Sequence, residues 1–316
     1  MKKVAKIIFL IFALGVFGAS IYVILNPGTT RDFLNQLFYK EPAEVATVRE
    51  NLGLTDRASF IFRSSRPSLE SHDDFLRSCG TTESSTYTLG CYSDGVIHVY
   101  NLSSLDFPGL VESTSAHEFL HAVWERLDGA EKSALTPELE KIYEKDPSHF
   151  AILSVYSDEN RLSELYARVG SEIADLSAPL EEHFKNYFKD QDKIVSYYTS
   201  YSAPIKKLET ELGEMKQKID SLNSEITEKT AEYQSRLAAL NSAISDFNNC
   251  ANTADCFSAA DFRARRLELS TEKSALDSLN TELQEKVVEY NTLVDSYNET
   301  LKSRRAIDEL IEKGNS

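Results

Sequence analysis

The sequence predicts a mostly helical α+β protein with three parts: an N-terminal transmembrane helix, a small domain with a short sheet, and a long antiparallel coiled-coil hairpin. Three observations support this fold class. Residues 7–25 carry no charge, heptad repeats fill the chain beyond residue 204, and the intervening region mixes amphipathic helical patterns with short β-rich runs. The predicted parts are therefore 1–26, 27–203 and 204–316.

An uncharged segment near the N-terminus predicts a membrane anchor. Its 19 residues, 7–25, would form a helix of roughly 28 Å, which is long enough to cross the core of a bilayer. Three lysines precede it, so we expect a single-pass protein with a cytoplasmic N-terminus and an extracytoplasmic chain after Asn26. The alternative is a signal peptide cleaved after Ser20, which would give a secreted protein. The apolar run continues beyond that position, which favours the anchor.

The charge of the chain excludes one class of partner. The net charge is −16 and the isoelectric point is about 4.9. Nucleic-acid-binding proteins need a basic surface, so we expect no nucleic-acid partner. An acidic surface mainly promotes solubility and does not identify a substrate.

The four cysteines form two close pairs, Cys79 with Cys91 and Cys250 with Cys256. Neither pair has the C-x-x-C spacing that is typical of metal sites, and none lies near the motif described below. Two local disulfides in an oxidising compartment are the favoured interpretation. A second metal site and four reduced, buried thiols are the alternatives.

The region after the anchor has patterns typical of helices and two short strands. Apolar spacing predicts helices over 31–53, and the β-rich run 58–62 predicts a strand. A second strand is expected over 95–100. It carries His98, which could face a cleft or, as the alternative, solvent. Asp106 is the expected cap of the following helix.

An H-E-x-x-H motif at 117–121 is the most informative part of the chain. Apolar residues at helical spacing, followed by Gly129, predict a helix here. Because positions i and i+4 lie on one helix face, His117 and His121 can bind one zinc ion. Glu118 would lie beside the ion, where it can accept a proton from a water molecule. The alternative is an ordinary surface helix.

The third metal ligand is expected on the helix predicted over 159–176. A catalytic zinc ion has three protein ligands and an open position for water. Glu164 is the first choice because its neighbours are apolar, and an unpaired carboxylate there would be unfavourable. Glu172 is the runner-up and Glu159 the third choice. The alternative for Glu164 is a salt bridge with Arg168.

Two more helices are expected around this one. Thr136 and Pro137 are typical of a helix start, which predicts a helix to about Lys145. After Pro179, aromatic residues at helical spacing predict a helix that ends at Pro204.

Heptad repeats dominate the C-terminal part. The first series is Ile205, Leu212, Ile219, Ile226, Tyr233, Leu240 and Phe247; the second is Phe262, Leu269, Leu276, Leu283, Tyr290 and Tyr297. The short segment between them favours a hairpin with arms of about 65 Å, closed by a Cys250–Cys256 bridge. Dimerisation between chains is the alternative. This region could be a spacer, a lid, or a site of partner binding or self-association.

The motifs resemble those of the gluzincin class of zinc metallopeptidases. The resemblance lies in 116–122, which contains the H-E-x-x-H motif, and in 163–167, Ser-Glu-Leu-Tyr-Ala. The chain is also similar to uncharacterised bacterial membrane-anchored proteins that combine a Leu-Gly-Cys-Tyr segment, an H-E-x-x-H helix, a Gly-Thr-Glu-like segment and a C-terminal coiled coil. The corresponding segments here are 89–92 and 170–172.

The resemblance implies a zincin-like metallopeptidase domain. His117, His121 and Glu164 would bind zinc, and Glu118 would be the general base. Arg168 departs from the family pattern, because many gluzincins have an acidic residue four positions after the glutamate ligand. This departure keeps Glu172 in consideration.

The sequence therefore predicts a membrane-anchored, extracytoplasmic zinc metalloendopeptidase that acts on proteins or peptides. A second group must stabilise the oxyanion, and Tyr156, Tyr166, His98 and Arg161 are the candidates. The alternative is a non-catalytic envelope protein in which the coiled coil is a scaffold and the zinc site is structural. An intact Glu118 favours the enzyme, because a structural site has no use for a base.

Overall fold

The computed structural model describes residues 16, 17, 20, 21, 23, 27–80, 89–103, 107–253 and 256–313. Most of the predicted membrane segment and the predicted cap Asp106 lie outside these residues. Within the described part of the chain, no helix is both long and apolar enough to cross a membrane. The described chain is mostly helical with one small sheet, which confirms the predicted α+β class at that level.

The chain divides into two compact units. The first comprises Met1–Pro204 together with Glu309–Ser316, and the second comprises Ile205–Asp308. The helices that lie in or begin in the first unit include α1 (Pro27–Phe38), α2 (Ala43–Asn51), α3 (Asp56–Ser64), α4 (His72–Cys79), α5 (Leu110–Arg126), α6 (Gly129–Lys145), α7 (Asp158–Glu172), α8 (Ala178–Phe184) and α9 (Gln191–Ala251). A 3-10 turn, Ala151–Val155, precedes α7.

The sheet has three described strands, β1 (Ser68–Glu70), β2 (Gly90–Ser93) and β3 (Val96–Tyr100). Strand β3 is central, parallel to β1 and antiparallel to β2. Asp94 and Gly95 join β2 to β3, and both have positive φ angles, 52° and 76°, as a tight two-residue hairpin requires. The predicted strand over 95–100 is present.

Helix α5 is the centre of the first unit. Its fully buried residues include Ala116, Phe119, Leu120 and Ala122. It packs against the sheet and against α7. Gly170 of α7 makes that second contact possible, because a Cβ atom there would lie 2.6 Å from Leu120 Cδ1. The core therefore holds α5 and α7 at short distance, and this pair carries the site described below.

The second unit contains the predicted coiled-coil hairpin. It is formed by the main part of α9 and of α10 (Ala259–Lys313). Ion pairs cross between the two helices with antiparallel register: Arg236–Glu272, Lys229–Glu282, Glu225–Lys286 and Glu209–Arg304. Leucines at heptad positions, such as Leu222, Leu240, Leu276 and Leu283, are buried. The heptads therefore pair within one chain.

Both cysteine pairs lie at disulfide distance, as the sequence predicts. Cys79, at the end of α4, pairs with Cys91 of β2, with 5.9 Å between Cα atoms. Cys250 and Cys256 pair near the junction of α9 and α10, with 5.4 Å between Cα atoms.

Three of the secondary-structure predictions are wrong. The run 58–62 is part of α3, because Thr55 caps a helix whose buried residues recur at helical spacing. Helix α6 starts at Gly129 rather than Thr136, because Asp128 forms a capping box with Glu131. Pro137 and Pro204 lie inside helices instead of bounding them.

Candidate metal centre

Helix α5 places the three polar residues of the motif in a protected position. His117 and His121 are about one turn apart, so they lie on one face, and their side chains are 18% and 17% exposed. Glu118 is only 6% exposed. The rest of the helix is held by apolar packing, which explains how three polar groups remain oriented at the edge of the core.

Helix α7 adds a carboxylate to the two imidazoles. Glu164 Oε2 lies 3.5 Å from His117 Nε2 and 3.3 Å from His121 Nε2, and the two Nε2 atoms are 3.2 Å apart. Three donors bound tetrahedrally at about 2.0–2.2 Å from a zinc ion would be separated by about 3.3–3.5 Å. The triangle therefore has the size that a tetrahedral zinc ion requires, and these three residues form a group that could hold a metal ion.

Neighbouring residues orient two of the three ligands. His121 Nδ1 is 2.8 Å from Ser163 Oγ, so a proton on Nδ1 would leave Nε2 free to bind a metal. Arg168 Nε donates to Glu164 Oε1 at 2.7 Å, which leaves Oε2 for the metal. Burial raises the pKa of Glu164, but the positive charge of His117 and the hydrogen bonds from both histidines outweigh burial, so the net shift is downward. The carboxylate is therefore ionised.

Glu172, the runner-up ligand, is outside this group. Its Oε2 is 2.8 Å from His149 Nε2, and its Oε1 accepts from Arg168 Nη1 at 3.1 Å. The side chain of Glu159, the third choice, is outside the described residues. The predicted salt bridge between Glu164 and Arg168 is also present, so Glu164 both pairs with Arg168 and faces the histidines.

Glu118 occupies a tight position beside strand β2. A Cβ atom on Gly90 would lie 2.7 Å from Glu118 Cγ, so only glycine allows the strand to approach this closely. Burial raises the pKa of Glu118, although the positive charges of His117 and His121 oppose the change. A raised pKa is the direction expected of a carboxylate that accepts a proton near neutral pH.

The four oxyanion candidates separate into two groups. Tyr156 is partly exposed, and its pKa is raised to about 12 by burial and then by the negative charge of Glu164, so it remains a hydrogen-bond donor. His98 is opposite Cys91 in the sheet, and Cys91 follows Gly90, which adjoins Glu118. Tyr166 does not fit the predicted oxyanion role, because its side chain is fully buried and its hydroxyl lies 2.8 Å from His183 Nε2. Arg161 is engaged by Glu140.

The donor set is well suited to zinc, since two imidazole nitrogens and one carboxylate oxygen are common ligands of that ion. No family model, curated protein or solved structure matches the chain.

Two contacts that orient the site carried no recognisable signal in the sequence. Ser163 Oγ lies 2.8 Å from Nδ1 of His121, which is 42 residues earlier in the chain. His98 Nδ1 lies 2.6 Å from Glu70 Oε1 on the neighbouring strand β1, so its ring orientation is fixed by a residue 28 positions earlier. Such contacts depend on tertiary structure, which local spacing does not report.

Proposed function

We propose that this protein is a membrane-anchored, extracytoplasmic zinc metallopeptidase of the gluzincin type. The observation that carries the proposal is the triangle of His117, His121 and Glu164, whose edges of 3.2, 3.3 and 3.5 Å suit a tetrahedral zinc ion. Three protein ligands leave one position open. That favours catalysis over the alternative of a structural zinc site in a non-catalytic scaffold, since structural sites use four ligands.

Glu118 is the proposed general base. The chemistry that a bound zinc ion supplies is Lewis acidity, which polarises a water molecule and the scissile carbonyl. The Glu118 carboxylate would accept a proton from the attacking water and return it to the leaving amine. Tyr156 or His98 would donate a hydrogen bond to the developing oxyanion. Glu70 would hold the His98 ring in place for that role.

An extended peptide is the proposed substrate. Strand β2 is at one edge of the three described strands, and its first residue, Gly90, adjoins Glu118. A peptide paired with such an edge would pass beside the proposed base. The two cysteine pairs at disulfide distance support an oxidising, extracytoplasmic location.

Zinc content per chain tests the metal assignment. We expect about one zinc ion per chain by elemental mass spectrometry after purification without chelator, and loss of zinc in His121→Ala and in Glu164→Ala. Glu172→Ala should keep its zinc, because Glu172 contacts His149 and Arg168 and not the two histidines of α5. A folded native protein without zinc would overturn the proposal, and loss of zinc only in Glu172→Ala would reassign the third ligand.

Peptide cleavage tests the role of Glu118. Glu118→Gln keeps the shape of the side chain but removes the base, so we expect zinc to remain and cleavage of a mixed fluorogenic peptide library to fall by about 10²–10⁴-fold. Glu144→Gln, on the exposed face of α6, is the control and should cleave like the native protein. Equal cleavage by native protein and Glu118→Gln would exclude this role.

A further inference from the structure

Helix α1 uses its polar side chains to contact the rest of the first unit. Arg126 of α5 donates to both carboxylate oxygens of Asp32 at 2.8 Å, and Asp32 is only 7% exposed. Arg31 pairs with Glu125 at 3.2 Å. Asn35 Nδ2 donates to the backbone oxygen of Ser64 at 3.0 Å. The hydrophilic side of α1 therefore faces the protein.

The outer face of α1 is apolar instead. It consists of Phe33, Leu34, Leu37 and Phe38, which are 60%, 46%, 64% and 76% exposed. Positions i, i+1, i+4 and i+5 lie on one side of a helix, so the four side chains form one continuous surface. Helices of water-soluble domains have the opposite arrangement, and a clustered apolar patch of this kind marks an interaction surface.

Exposed apolar residues also occur in the predicted anchor. Val16, Phe17, Ile21 and Val23 are the described apolar residues of the uncharged segment, and each is also exposed. That segment ends at residue 25, and α1 begins at Pro27. Phe33, the first residue of the outer face, is therefore eight residues beyond the end of the predicted anchor (33 − 25).

We propose that the outer face of α1, formed by Phe33, Leu34, Leu37 and Phe38, lies in the interfacial region of the lipid bilayer that residues 7–25 enter. The proposal rests on the anchor in the proposed function and is independent of zinc. Two cations support lipid as the occupant. Lys40 and Arg66 line one shallow surface groove together with Leu34 and Phe38, where they could reach lipid phosphates while the apolar side chains enter the acyl region.

Docking of α1 would also position the candidate metal centre. The Asp32–Arg126 pair joins α1 to the last turn of α5, and His117 and His121 are on the same helix α5. A buried, bidentate pair resists rearrangement more than an exposed one. The site would therefore be held at a fixed height above the bilayer, which favours substrates close to the membrane.

Fluorescence quenching on the full chain tests this placement. The described cysteines all lie in pairs at disulfide distance, so Leu37→Cys provides one site for an environment-sensitive label. The protein is reconstituted in phosphatidylcholine vesicles that contain brominated lipid, with iodide as the aqueous quencher. Glu144→Cys, on the exposed face of α6, is the matched control. Carbonate extraction of the same vesicles reports separately whether the chain is anchored.

We expect the label at position 37 to be quenched by brominated lipid and protected from iodide, and the label at 144 to show the reverse. Equal quenching by iodide at both positions in carbonate-resistant protein would overturn the proposal. So would protection of position 37 from both quenchers, together with disulfide-linked dimers of the unlabelled Leu37→Cys protein, since a second copy would then cover the face. Recovery of the chain in the carbonate-soluble fraction would overturn the anchor as well. None of these readings depends on zinc content or peptide cleavage.

Discussion

Arg168 is the residue whose position decides how Glu164 can bind a metal. It holds Glu164 Oε1 at 2.7 Å, and Glu172, itself fixed by His149, holds Arg168 from the other side. In Arg168→Met, Glu164 would lose this restraint and a neutralising charge. We expect zinc affinity to fall by about 10–100-fold, the usual effect of losing an outer partner of a ligand.

Competition with a chromophoric chelator measures that affinity, and the visible spectrum of the cobalt-substituted protein reports whether the coordination geometry changes. Arg161→Met is the matched control, because Arg161 is on the same helix but pairs with Glu140 outside the site. Native affinity and an unchanged cobalt spectrum in Arg168→Met would show that Arg168 does not position the ligand.

His183 is expected to make folding stability depend on pH. Burial lowers its pKa to about 4, and as a neutral ring it accepts a hydrogen bond from Tyr166 at 2.8 Å. The unfolded chain, with a pKa of about 6.5, binds more protons between these values, so stability is lost as the pH falls from about 6.5 to 4. Allowing for partial exposure, we expect a loss of about 1–2 kcal/mol from this group.

The pH effect is measured by urea unfolding in the presence of a chelator at pH 7.5 and pH 5. The single tryptophan, Trp124, lies against Tyr166 with ring centroids 5.0 Å apart and provides the fluorescence signal. His183→Gln should reduce the difference between the two pH values. If His183→Gln shows the same stability difference between pH 7.5 and pH 5 as the native protein, His183 is not its cause.

At the scale of elements, the spacing of residues along the chain predicted the features that depend only on helix geometry. Two histidines four residues apart share a helix face in any helix, so the sequence alone brought His117 and His121 together. The heptads predicted the hairpin for the same reason. The strand predicted over 58–62 was wrong, because β-rich composition is a weaker signal than the Thr55 cap and the helical spacing of the buried residues. The helix end predicted at Pro204 was wrong, because the loss of one backbone hydrogen bond at this proline did not end the 61-residue helix.

The sequence ranked the candidates for the third ligand but could not show their contacts. Three glutamates on one predicted helix were possible, and Glu164 was the first choice because its neighbours are apolar. The distinction comes from contacts that the fold creates: Glu164 faces the histidines of α5, whereas Glu172 faces His149.

The close packing of α5 and α7 depends on Gly170. A Cβ atom there would lie 2.6 Å from both Leu120 Cδ1 and Phe184 Cε1. Gly170→Ala should therefore destabilise the first unit by about 1–3 kcal/mol, despite the higher helix propensity of alanine. Because Leu120 adjoins His121, zinc affinity should also fall.

Urea unfolding followed by Trp124 fluorescence measures the first effect. Gly129→Ala is the matched control, because nothing lies within 4 Å of a Cβ atom at that position. Equal stability of the two variants would mean that α5 and α7 can separate at little cost.

At the scale of the whole molecule, the metal should stabilise one unit and not the other. The described group that could hold a metal belongs entirely to the first unit, where it links α5 to α7. A ligand that binds only the folded state stabilises it by about 4 kcal/mol at a free concentration 1,000 times its dissociation constant. The hairpin in Ile205–Asp308 instead depends on its own leucines and ion pairs.

Removal of metal with a chelator should therefore lower the midpoint of the Trp124 transition and leave a separate helical transition unchanged. Thermal unfolding followed both by tryptophan fluorescence and by circular dichroism at the helix band measures the two. His117→Ala is the control, since it should already unfold at the lower midpoint and should not respond to chelator. Equal shifts in both signals would show that the hairpin unfolds together with the first unit. An unchanged fluorescence midpoint would show that the metal does not join α5 to α7.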